Sequence, residues 1–120
     1  MICNIPVYDS WGEEMKKISA YDKGVRVTIL PDPDIGLVDL RLCFKVDFVL
    51  KNITESLKAD SLDVSADEIQ CTIPEKALQT RSGGTLDIYI CLRNGAQQTT
   101  QYHAIVQVEG RPPLADSDKE

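Results

Sequence analysis

Residues 38–50 read VDLRLCFKVDFVL, and their apolar members recur at every second position. Val38, Leu40, Leu42, Phe44, Val46, Phe48 and Leu50 share one parity, while Asp39, Arg41, Cys43, Lys45 and Asp47 share the other. A period of two is the repeat of a strand with one face in a core and the other in solvent. A helix would spread these side chains round its axis. The alternation predicts one long strand, with a bulge near Val49, and makes the chain a sheet protein.

The rest of the sequence is read against that strand. Short alternating runs are expected over residues 4–8, 15–21, 25–29, 62–64, 69–73, 86–92 and 100–108. Pro6 suits an edge, and residues 15–21 are read as the return arm of a hairpin. Residues 31–36, with Pro31 and Pro33, must be loop. Residues 51–58 are read as a polar crossing with room for a helical turn, and Pro74 as the first turn of a short helix. Asn94-Gly95 lies between two alternating runs and predicts a tight type I′ hairpin. Seven or eight short strands with turn signals between them predict an all-β fold, an antiparallel immunoglobulin-like sandwich. The expected core sets Val38, Leu40, Leu42, Phe44 and Val46 against Ile69, Cys71, Ile73, Leu86, Ile88, Ile90 and Leu92. The 120-residue length suits one domain, read as residues 1–113, with 114–120 as a polar tail.

Composition excludes more than it assigns. The net charge is −6 and the 13 basic residues are scattered, which speaks against nucleic-acid binding. No apolar run reaches membrane-spanning length, and the opening MICNIPVYDSWGEEM lacks the layout of a secretory signal. The four cysteines, Cys3, Cys43, Cys71 and Cys91, contain no CxxC pair. They are expected to be reduced core thiols; Cys43 and Cys91 are the pair that could be considered for a bridge.

Three stretches carry a resemblance. Ile5-Pro6-Val7-Tyr8-Asp9 followed by Tyr21-Asp22-Lys23-Gly24 resembles an opening hairpin with an aromatic-Asp turn. Cys71-Thr72-Ile73-Pro74-Glu75-Lys76-Ala77-Leu78 resembles a strand, an Ile-Pro step and a short turn. Residues 86–92, Asn94-Gly95 and 106–113 resemble a closing hairpin with an Arg-Pro exit. Together they are similar to small β-sandwich virion proteins of tailed bacteriophages, in particular the N-terminal domains of phage baseplate upper proteins. The resemblance implies a non-enzymatic structural or adaptor protein of a tail, baseplate or fibre. It implies assembly with itself and other virion proteins, after synthesis in the host cytoplasm.

No residue set supports catalysis, a cofactor or a metal. His103 lacks a nucleophile motif and is expected to be a hydrogen-bonded or solvent-facing strand residue. Asp32, Asp34 and Asp39 lack calcium-loop spacing and read as turn chemistry, and Asp60, Asp63 and Asp67 as solvated positions. Tyr89, Tyr102 and Trp11 could form an aromatic platform, the basis of an alternative reading as a glycan-binding or adhesion module. The expected interface is the uncharged run Gln97, Thr99, Thr100 and Gln101 on the closing strand, with Tyr89 and Tyr102. A strand edge without charge or proline offers its backbone to a neighbour.

Overall fold

The computed structural model describes residues 3–30 and 39–110. It contains two packed sheets. The larger runs β1 (Cys3–Asn4), β10 (Gln97–Glu109), β9 (Gly84–Asn94), β5 (Cys43–Leu50) and β6 (Ile53–Lys58), with β3 (Lys17–Ser19) also on β10. The smaller runs β2 (Val7–Tyr8), β4 (Arg26–Ile29), β8 (Ile69–Thr72) and β7 (Asp63–Val64). Pairing is antiparallel except where β1 and β3 lie parallel to β10. The all-β sandwich expected from the alternation is the fold, and its inner faces meet in one apolar core.

Leu86, Ile88, Ile90 and Leu92 of β9 and Tyr102, Ala104, Val106 and Val108 of β10 are buried from one sheet. Val27, Ile29, Ile69 and Cys71 close over them from the other, in one continuous cluster. The expected strand from residue 38 is shorter and begins differently. Leu40–Leu42 form a 3-10 turn, capped by Asp39, whose Oδ1 accepts from the Arg41 N–H at 2.9 Å. A bulge between Cys43 and Lys45 then resets the parity. Cys43, Val46, Phe48 and Leu50 are buried, Phe44 is half-buried, and Leu42 is exposed. Phe48, not Phe44, is therefore the central aromatic of β5. The bulge sits near the start of β5 and not at Val49, and the Cys43 thiol donates to the Lys45 carbonyl at 3.3 Å across it. Val38, Asp32, Asp34 and the tail lie outside the described residues.

Four other expectations change. Residues 51–58 are not a polar crossing: Lys51, at φ 56°, turns the chain into β6. Pro6 splits the first predicted strand into two pieces on different sheets. The hairpin with β2 is present only at its start, where Tyr8 bridges Glu14 antiparallel and the Met15 N–H donates to the Val7 carbonyl at 2.8 Å; residues 17–19 then leave it as β3, parallel to β10. The last hairpin is present, but Gln97 faces Asn94, so its loop is Gly95-Ala96. Glycine is then the first loop residue, at φ 63°, as a type II′ turn requires.

Candidate functional site

Two features of the larger sheet bear on function: its outer face and the free edge of β10. Both are set by register. Ser56, Asp47, Tyr89, His103 and Asn4 stand in one cross-strand row from β6 to β1. Side chains opposite one another on a face are the contacting unit of a sheet.

His103 is half-buried in that row. Its Nε2 lies 2.8 Å from Asp87 Oδ1 and its Nδ1 3.1 Å from Asn4 Oδ1. The ring stacks on Tyr89, with centroids 4.7 Å apart and planes 14° from parallel. Each ring nitrogen faces a side-chain oxygen, so neither opens toward a substrate in this arrangement. The imidazole works instead as a clasp: through Asn4 it holds the two-residue β1 onto β10, alongside the Ile5 N–H bond to the His103 carbonyl at 2.9 Å. Next to it, Asp47 accepts from the Ser56 hydroxyl at 2.5 Å and pairs with Lys45 at 3.3 Å. Ser56 and His103 are thus each committed to a different carboxylate, and the row does not assemble a nucleophile–histidine pair. The sequence could not reveal this row, because the weak alternation of residues 53–58 does not mark β6 as a strand.

Cys43, Cys71 and Cys91 are buried and form no disulfide among the described residues. Burial pushes Cys43 up to about 11 and Cys71 up to about 12, so both remain protonated and poorly nucleophilic near neutrality. Among the aspartates, Asp39 caps its turn and pairs with Arg41, whose guanidinium holds its carboxyl below the usual range. Asp63 pairs with Arg26, and Asp67 accepts from Ser65 at 3.1 Å. Among the described residues no group of His, Cys, Asp or Glu is placed to hold a metal ion.

The edge of β10 is covered in two pieces. β1 pairs with Tyr102 and His103, and β3 with Gln107, Val108 and Glu109. Over residues 97–101 no described strand lies on that edge, although β9 pairs the other side. The remaining edges are defended: β2 and β7 are two residues long, and β6 carries Lys58 and turns Glu55 to the same side as Ile53 and Leu57. Gln97, Thr99, Thr100 and Gln101 therefore sit on the one long undefended edge segment among the described strands. Tyr89 does lie on the outer face. Tyr102, placed in the expected interface, instead faces the core on the parity of Ala104, Val106 and Val108, with an exposure of 0%. Its burial also removes it from any aromatic platform with Tyr89 and Trp11. Trp11 is 88% exposed on the turn after β2, a position the sequence could not distinguish from a core tryptophan.

The fold is an all-β sandwich of two packed, mostly antiparallel sheets. No family model matches the sequence, and no curated protein matches it. Among solved structures, the chain is similar to a "Putative bacterial DNA binding protein" from Bacteroides vulgatus ATCC 8482, with a TM-score of 0.56 and 11% identity. The match covers 93% of this chain and 49% of that one, so this chain spans about half of that protein's length. At this identity the likeness shows the fold alone.

Proposed function

We propose that this protein is a non-enzymatic structural or adaptor module that assembles through the open segment of β10. The observation that supports the reading is the uneven edge: on the side of β10 away from β9, described strands cover 102–103 and 107–109 and none covers 97–101. Backbone N–H and C=O groups on such a segment are available for strand addition by a neighbour. The engagement of both His103 nitrogens and the burial of the thiols support a binding role over a chemical one. The sequence resemblance to tail and baseplate proteins gives the setting we infer, a phage virion in which several copies dock on one another or on other virion proteins.

The test has two parts. Gln98→Pro removes a backbone donor that the register turns away from β9, and Thr100→Lys adds a charge to the segment. Each is expected to lower the assembly state in sedimentation velocity while far-UV circular dichroism stays unchanged. Mass spectrometry of purified virions is expected to detect the chain in stoichiometric amounts. A chain that sediments identically in all three forms, and is missing from virions, contradicts the proposal. DNA binding, the property in the name of the structural neighbour, is disfavoured by the net charge of −6. Salt-independent absence of a mobility shift on duplex DNA is the expected control.

A further inference from the structure

Asn94-Gly95, the pair that leads into the closing hairpin, carries chemistry of its own. Asparagine is one of the thermolabile residues. The backbone nitrogen of the next residue can attack its side-chain carbonyl carbon and close a five-membered ring. The residue that supplies the nitrogen sets the rate. A β-branched side chain there crowds the approach, whereas glycine has no Cβ and leaves the backbone free to turn. The chain has three asparagines, Asn4, Asn52 and Asn94. Asn4 and Asn52 precede Ile5 and Ile53, and Asn94 alone precedes a glycine.

The fold sharpens that difference. Gly95 is exposed at the tip of the hairpin between β9 and β10. Nothing lies within 4 Å of the place its Cβ would take, so the surroundings of the attacking nitrogen are open. Its N–H makes no backbone hydrogen bond among the described residues. Asn94 is held by its pairing with Gln97, the last pair before the loop, and the end of a ladder is where local opening is easiest. Asn52 is exposed in a turn as well, but Ile53 behind it already belongs to β6. Asn4 lies within β1, with its Oδ1 3.1 Å from His103 Nδ1. We propose that Asn94 is a site of spontaneous deamidation, with water as the co-reactant. The Gly95 nitrogen bonds to Asn94 Cγ, the Cγ–Nδ2 bond breaks, and the Gly95 N–H proton leaves with Nδ2 as ammonia. Water then opens the succinimide at one of its two carbonyls. Opening at Cγ leaves aspartate. Opening at the main-chain carbonyl leaves isoaspartate, in which the chain runs through Cγ and is one carbon longer. Nothing is oxidised or reduced, and the net charge of −6 becomes one unit more negative. The added carbon falls on the β9 side of the hairpin alone, so the residue opposite Gln97 no longer matches it in register. The inference goes beyond the proposed function and does not depend on it.

Ageing the intact protein in mildly alkaline buffer, followed by peptide mapping, provides the test. The peptide that holds Asn94 is expected to gain about 1 Da and to be labelled by an isoaspartyl methyltransferase. Its conversion is expected to run roughly 10-fold or more ahead of the Asn4 and Asn52 peptides. The rate is expected to rise with pH, because the attacking nitrogen must give up its proton. Gly95→Ala is expected to slow the conversion and Asn94→Gln to abolish it, each in a chain whose circular dichroism is unchanged. The isoaspartate form, separated by ion exchange, is expected to exchange its Gln97 amide roughly 10-fold faster than the fresh chain, as loss of one backbone hydrogen bond implies. Conversion of Asn52 as fast as Asn94, or a rate unchanged in Gly95→Ala, overturns the proposal. Gln97 exchange that is the same in the fresh and isoaspartate forms overturns it too.

Discussion

The close approach of Gly83 to the end of β10 supplies the sharpest test of the packing. A Cβ built on Gly83 would lie 2.4 Å from the Val108 carbonyl oxygen and 2.6 Å from the Gly110 nitrogen, and its φ is +71°. Both obstructing atoms are backbone, so no side chain can swing aside. Two costs add for Gly83→Ala. The left-handed backbone costs an alanine about 1–2 kcal/mol. Relieving the overlap needs a backbone shift of the overpacking kind, about 1–3 kcal/mol. The sum is about 2–5 kcal/mol, a large part of the stability of a domain this size. Gly95→Ala isolates the first term, because φ there is +63° and nothing lies within 4 Å of its Cβ. Urea unfolding of the two variants beside the parent gives the difference directly. Equal losses for the two, or a loss under about 1 kcal/mol for Gly83→Ala, would refute the close approach and with it the seating of β10 against residues 81–83.

Three further outcomes are expected. Phe48→Ala should cost about 3–5 kcal/mol by leaving a central cavity, and Phe44→Ala only about 1 kcal/mol, since Phe44 is half-buried beneath Arg93; urea melts that reverse the order would place the β5 bulge wrongly. Folding raises the Cys43 and Cys71 thiols from an ordinary 9.0 to about 11 and about 12, so the native state holds more protons than the unfolded one above pH 9. Their contribution to stability is then full below pH 9 and declines as pH rises through those values, and Cys71→Ala should flatten that slope in unfolding measured from pH 8 to 11. His103→Ala should raise amide exchange at Ile5 by roughly 10-fold, as loss of a hydrogen-bonded clasp of about 1–1.5 kcal/mol implies, while amides of β5 are unchanged; exchange that stays constant would show that β1 is held without the clasp.

Much of the sandwich was legible because alternation is a direct consequence of a half-buried strand. Residues 86–92 and 69–73 read correctly, since nothing interrupts their period. Residues 38–50 misled because period-two sequence continued through a 3-10 turn and a bulge, and a bulge moves side chains to the other face without leaving a mark in the sequence. Tyr102, by contrast, shares an unbroken parity with the buried Ala104, Val106 and Val108, so its burial was legible from the alternation; the second bulge changes the register only of the residues before it. β6 was missed because Ile53, Glu55 and Leu57 make a weak stripe with a carboxylate in the middle. The uncharged run from Gln97 to Gln101 could be read as an edge, yet its partial cover by β1 and β3 depends on parallel pairings across nearly the whole chain. The turn at Asp9-Ser10-Trp11-Gly12 was legible from its residue types, whereas the His103 clasp was not, because Asn4 and Asp87 reach it only through the fold.

The account rests most heavily on residues 97–101 being a docking edge. Amide hydrogen exchange of this segment, followed as protein concentration rises, tests that claim at the backbone where it is made. The amides not bonded to β9 are expected to gain protection with concentration, in parallel with the assembly state, and Gln98→Pro is expected to abolish the gain. Protection that stays flat while the chain assembles, or a chain that remains monomeric throughout, would contradict it.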